Sequence, residues 1–282
     1  MTGVRPHHGR GVSATTTAPV RVPGMVRTMA HATDATDATA DAVRAALAEH
    51  ASAERAAGSA RFFKTGPAQY GEGDLFIGVT VPATRAVVAR FAQLPAPEVR
   101  TLLASGTHEH RLAGLLIMVR QFQVASRTRT RDDEVRVALH AAYLEAVRGG
   151  RVNNWDLVDS SAETLVGEFL RESARGDDPL LDELAASASL WERRVGVLAT
   201  FAFIKVGDGG PILRLAPRFL DDREDLMHKA VGWMLRELGK RVDRGALVGF
   251  LDEYAPRLPR TMLSYATEHL APDERAAYRA MR

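Results

Sequence analysis

The chain holds three tryptophans, Trp155, Trp191 and Trp233, and each sits beside charge at helical spacing. Trp155 precedes Asp159 by four residues and Trp191 precedes Arg194 by three, while Trp233 follows Lys229 by four with Arg236 one turn further. Residues three or four apart share a helix face. Faces of this kind place an electron-rich ring, a carboxylate and fixed cations side by side. A carboxylate stabilises a developing cation, an indole face attracts positive charge, and Arg offers a planar fork of donors to phosphate. The competing reading is structural, since tryptophans in helical proteins often fill the core and a neighbouring Arg often bonds a loop. The set of three weakens that reading, because core positions rarely carry charged neighbours on the same face.

The helices that position these residues show a repeat. Arg111-Leu-Ala-Gly114, Arg193-Arg-Val-Gly196 and Lys229-Ala-Val-Gly232 share a basic residue, two residues and then Gly, each leading into an apolar run. Their separations are 82 (193 − 111) and 36 (229 − 193) residues. The first is about two units of 41, and the missing unit would hold Asn153-Asn154-Trp155. The stretch Arg260–Leu270 continues the series. A period of roughly 36–42 residues built from helix pairs is the signature of HEAT or armadillo-like solenoids. No strand alternation of useful length is present. The expected fold is therefore an all-α solenoid of roughly five to seven antiparallel helix pairs over residues 39–282. Each pair would bury its apolar face only against its neighbours, and the repeated Gly would let helices approach closely. Equivalent positions would line one concave face. Arg194, Lys229 and Arg236 are expected on it, with Asp177, Asp178 and Glu183 elsewhere.

Ahead of the repeats, residues 1–38 are rich in Gly, Pro, Thr and Ala without apolar periodicity, and read as a disordered tail. Thr39–Ala57 reads as helix. Gly66, Pro67, Gly71 and Gly73 lie too close together for one, so Arg61–Val79 reads as an ordered loop. Val81-Pro82 opens a helix that runs through Thr84–Gln93. Pro95 and Pro97 mark a break, and Glu98–Ser105 forms the next helix.

Composition narrows the chemistry. With no cysteine, thiol nucleophiles, disulfides and cysteine-ligated metal centres are excluded. No apolar run approaches the roughly 18 residues of a membrane helix, and the apolar core of a secretory signal is missing. The expected location is the bacterial cytoplasm. Formal charge is +2, yet 33 of the 37 basic residues are Arg. That bias reads first as genome composition and second as a phosphate-binding surface. Ser126–Arg131 is basic, but Asp132-Asp133-Glu134 follows it and a solvated turn is the better reading. His108 and His110 flank Glu109. Alternate residues on a helix do not face one site and no third ligand stands near, so no metal and no cofactor is expected.

Three segments resemble the active-site segments of AlkD-type DNA alkylation repair proteins, a family of HEAT-like repeat alkylpurine DNA glycosylases. They are Asn153-Asn154-Trp155-Asp156-Leu157-Val158-Asp159, Leu190-Trp191-Glu192-Arg193-Arg194 and Lys229-Ala230-Val231-Gly232-Trp233-Met234-Leu235-Arg236-Glu237. Phe76-Ile77-Gly78-Val79-x-x-Pro82 is similar to that family's N-terminal signature, and the likeness runs over about residues 60–280. One departure is the glycine-rich Lys64–Asp74 insert, longer than in the best-known members.

The resemblance implies a monomeric solenoid that cradles duplex DNA, and hence an association with the nucleoid. It assigns the catalytic carboxylate to Asp159 and the aromatic walls to Trp155 and Trp233. The DNA-contacting arginine falls on Arg194, although repeat phase alone would select Arg193; Trp191, Lys229 and Arg236 complete the expected DNA-binding set. The implied reaction is removal of positively charged alkylated purines of the 7-methylguanine and 3-methyladenine class, without flipping the base into a pocket. The rival expectation is a non-catalytic module of the same fold that binds DNA or serves as a protein scaffold. The two are distinguished by whether Trp155, Asp159, Arg194 and Trp233 converge on a basic groove.

Overall fold

The computed structural model of the chain describes residues 38–173 and 179–281. The N-terminal tail, up to residue 37, and Asp177 and Asp178 lie outside the described residues. Within them all regular elements are helical, and strand-type pairing is confined to an isolated bridge between Leu75 and Thr107. No described helix is long and apolar enough to cross a membrane.

The Ala-rich start forms two helices, α1 (Ala40–Ala48) and α2 (Ala53–Phe62), where the sequence suggests one. Ser52 makes the break: it is extended, and its hydroxyl accepts the Arg55 N–H to cap α2. Then come α3 (Val81–Arg90), capped by Thr80, and α4 (Ala96–Leu103), which starts two residues before the expected Glu98 because Pro97 is accommodated in its first turn. The next are α5 (His108–Ala125) and α6 (Asp133–Arg148). The short α7 (Trp155–Asp159) leads into a wide π-type turn, Glu163–Glu168, and α8 (Phe169–Glu172). Beyond them lie α9 (Leu180–Ala185), α10 (Leu190–Ala199), α11 (Phe201–Ile204) and α12 (Gly210–Leu215). The chain closes with α13 (Asp225–Arg241), α14 (Arg244–Tyr254), α15 (Arg260–Ala266) and α16 (Pro272–Ala280).

The three helices that carry the basic-x-x-Gly unit, α5, α10 and α13, form the spine. α4 and α6 pack on α5, α9 packs on α10, and α14 and α15 pack on α13. The α7 turn bridges α5 to α10, and α10 meets α13 directly. One continuous apolar cluster runs through all of these elements. Such succession is compatible with the stack of helix pairs that the repeat suggests. The repeated glycines sit where helices touch. A Cβ on Gly196 would stand 3.0 Å from the Leu184 Cβ, and one on Gly232 would stand 2.6 Å from the Met262 carbonyl oxygen. Gly196 faces α9, the helix before its own, whereas Gly232 faces α15, which comes after.

Candidate active site in an aromatic cleft

A cleft of about 690 Å³ opens over the junction of α7, α10 and α13. It is lined by Trp155 and Asp159 from α7, Arg194 from α10, and Leu226, Lys229 and Trp233 from α13. Phe62, Lys64, Tyr70, Glu224, Asp225 and Tyr265 form the rim. Local sequence explains why α7 aims its side chains here. The buried Asn154 begins the helix, its side-chain oxygen accepting the Trp155 N–H at 2.8 Å. Trp155 and Asp159 then lie one turn apart on the same face. The α-helical register ends immediately afterwards, and the π-type turn follows; such wide turns are common at functional sites.

Aromatic packing fixes the Trp155 wall. Phe63 stacks on Trp155 at 5.3 Å and 24°, and Phe62 meets it edge-on at 5.9 Å. Phe63 stacks in turn on Phe76, which stacks on His108. Trp233, which also lines the cleft, leans on Phe201, with ring centres 6.0 Å apart.

Asp159 and Arg194 form a two-pronged pair: Nε donates to Oδ1 and Nη2 to Oδ2, each at 2.9 Å. Nη1 of Arg194 donates to the Leu226 carbonyl, tying α10 to the first turn of α13. The Arg194 side chain is 5% exposed. Burial pushes the Asp159 carboxyl above its ordinary range; Arg194 pulls it back only in part, and Asp156 adds to the rise. A carboxylate held uneasily in its ionised form is well suited to meet a nearby positive charge.

Lys229 pairs with Asp225 at 2.8 Å, and Asp225 also accepts from the Thr261 hydroxyl. Among the described residues that line the cleft, Lys64, Arg194 and Lys229 are balanced by Asp159, Glu224 and Asp225. The groove expected to be basic is therefore corrected here. Taken as a whole, the cleft lining is charge-balanced and aromatic, because the start of α13 contributes two carboxylates together with its lysine.

A buried ion network underpins α7. His108 bonds Asp156 through Nε2 at 2.8 Å and Asp74 through Nδ1 at 3.2 Å, while Arg111 Nη2 donates to Asp74 at 2.6 Å. Burial alone would depress the His108 pKa, but hydrogen bonds to Asp156 and Asp74 outweigh it and raise it to about 9. The neighbouring Glu109 accepts the backbone N–H groups of Ile77, Gly78 and Val79, and His110 bonds Ser105. Each member of the His-Glu-His run thus has a separate structural partner. The linkage has a defined sign. A raised folded-state pKa stabilises the protein fully below the unfolded value near 6.5, and that contribution is lost as pH rises toward 9. We expect thermal stability to decline between pH 6.5 and 9 by up to about 3 kcal/mol, and His108→Gln to flatten that decline. Calorimetry across the window checks this; an unchanged slope in the variant would show that another group is responsible.

The structure brings Trp155, Asp159, Arg194, Lys229 and Trp233 together in one cleft. It does not bring the remaining expected residues to the cleft lining. Trp191 packs beside the core and meets Tyr70 edge-on at 6.0 Å. Arg193 pairs with Asp222 at 3.0 Å and donates to the Ser187 and Ala188 carbonyls, fastening the α9–α10 turn. Arg236 pairs with Glu237 and Glu268. Conversely, Phe62, Lys64 and Tyr70 arrive from the end of α2 and the glycine-rich segment, which the sequence marks only as an ordered loop.

No curated protein matches the chain. A solved structure described as a predicted DNA alkylation repair enzyme from Enterococcus faecalis shares the fold with a TM-score of 0.60 at 16% identity, over 79% of this chain and 98% of that one. A family model described as DNA alkylation repair enzyme matches residues 43–270, from within α1 to the loop after α15 and including every cleft residue. The protein belongs to the DNA alkylation repair enzyme family, of the AlkD type.

Proposed function

We propose that the protein is a DNA glycosylase that releases positively charged alkylated purines from duplex DNA. The observation that carries this reading is the Asp159 carboxylate, which lines one cleft with Trp155 and Trp233 and is steadied by Arg194. A purine alkylated at a ring nitrogen is cationic and already a good leaving group. Breaking its glycosidic bond leaves a sugar with oxocarbenium character. Asp159 stabilises that cation and orients the attacking water, an electrostatic contribution made in a partly dehydrated site. Trp155 and Trp233 offer electron-rich faces to the same developing charge. Arg194 serves the reaction through Asp159: its three bonds to Asp159 and Leu226 orient the carboxylate. Lys229, in an exposed pair worth little by itself, is free to exchange Asp225 for a backbone phosphate. The protein acts as a monomer in the bacterial cytoplasm, on nucleoid DNA.

Incubation with a duplex bearing a single 7-methylguanine tests this reading, with free base and abasic sites measured together. Release of both in equal amounts is expected. Duplex binding without release would leave a DNA-binding module, and absence of both would leave a scaffold.

A further inference from the structure

Of the three cations lining the cleft, two are already engaged. Arg194 is buried against Asp159, and Lys229 pairs with Asp225. Among the described residues, Lys64 is the cleft cation with no carboxylate partner, and its side chain is exposed. Its Nζ lies 5.9 Å from the centre of the Tyr70 ring. Tyr70 is braced edge-on against Trp191.

The backbone goes to some lengths to hold Lys64 there. Lys64 has φ +54°, the left-handed region that residues with a Cβ rarely adopt. Gly71 N–H donates to the Lys64 carbonyl, and a Cβ at Gly71 would lie 2.3 Å from the Phe63 carbonyl oxygen. Only glycine fits, so the segment folds back tightly on the residue it displays. A strained residue held by its surroundings at the rim of a cleft is a marker of function. An unpaired lysine held on a tyrosine is a point-charge donor awaiting an anion, and on a DNA-binding protein that anion is a phosphodiester.

We propose that Lys64 is a backbone-phosphate contact of the cleft, held over Tyr70 by the glycine-rich segment so that it fixes the register of the damaged strand. This assignment rests on the DNA-binding part of the proposed function. The glycine-rich segment thereby adds a sequence-independent anchor beside an otherwise charge-balanced site. Phosphate contacts position the duplex while conveying no sequence information.

The test compares duplex affinity of the wild type, Lys64→Asn and Lys64→Gly over a series of salt concentrations, with melting temperature measured alongside. Both replacements tolerate a left-handed backbone better than Lys. We expect melting temperature to hold or rise in both. Affinity at low salt should fall about tenfold, equally for damaged and undamaged duplex, and the log–log salt slope should shrink in magnitude by about one. Lys64→Arg should restore the slope. A wild type that binds salt-dependently beside variants with an unchanged slope would overturn the Lys64 assignment alone. A wild type that binds no duplex would overturn the assignment together with the reading on which it rests.

Discussion

Replacing Asp159 by Asn is expected to cut base excision by roughly a hundred- to a thousandfold, the cost of about 2.7–4 kcal/mol typical of losing one well-aimed electrostatic stabiliser. The carboxylate acts when the sugar becomes cationic and does little in the ground state, so the loss falls on the chemical step. Duplex affinity should hold or improve slightly, because a carboxylate near phosphates is repulsive. Stability should fall, because an amide can still accept a hydrogen bond from the buried Arg194 but no longer neutralises it. Burial raises the Asp159 pKa above its unfolded value despite Arg194, so the cost of burying the ionised carboxylate offsets part of that loss at neutral pH. The sign follows: this cost fades as pH falls through the raised pKa, and a neutral Asn escapes it. The expected variant is a folded but less stable DNA-binding protein that is nearly inactive. Melting temperature, affinity and single-turnover rate, measured on one preparation, check all three parts.

Arg194→Ala is expected to lower excision at neutral pH by roughly ten- to a hundredfold, the scale of about 1.5–3 kcal/mol for hydrogen bonds to charged groups. Without the guanidinium, the Asp159 carboxyl should rise further and the freed side chain should lose its fixed direction. The rate profile should therefore show an acid limb already above the ordinary Asp range in the wild type, and displaced to higher pH in the variant. Excision needs the ionised form, so rate is lost as pH falls through that limb. Arg194→Lys should recover only part of the loss, since an ammonium cannot reproduce the two-pronged geometry. The salt dependence of duplex binding should stay as in the wild type, because Arg194 is buried on Asp159 and Leu226. A variant whose salt slope shrinks by about one while its pH profile stays put would instead make Arg194 a phosphate contact, the role its motif implies.

The sequence reveals what depends on local spacing. The Trp155–Asp159 face, the Lys229–Trp233 face, the basic-x-x-Gly helices and the proline-marked entry to α3 all follow from neighbours within one or two turns. It conceals what depends on distant partners. Arg193 and Arg194 are indistinguishable by type, yet Asp222 takes one and Asp159 takes the other. Arg236 occupies an expected DNA-facing position and is tied to Glu268, 32 residues on. His108 looks like half of a metal motif because its partners Asp74 and Asp156 are 34 and 48 residues away. Glu224 and Asp225 give no sign in the sequence that they balance the cleft, since their place on the rim comes from how α13 meets α10. Lys64 and Tyr70 are hidden for a related reason: glycine-rich composition signals a turn without showing where its side chains end up. The division of Thr39–Ala57 into two helices depends on Ser52, one polar residue in an Ala-rich run.

The role of Asp159 is decided by single-turnover release of 7-methylguanine from duplex DNA, comparing wild type and Asp159→Asn at saturating protein and neutral pH. Stoichiometric release of free base by the wild type is expected. The variant should release it at least about a hundredfold more slowly, with duplex binding retained and the protein still folded at the assay temperature. Equal rates in the two proteins, or a variant that cannot fold, would contradict the catalytic assignment and make Asp159 a structural partner of Arg194.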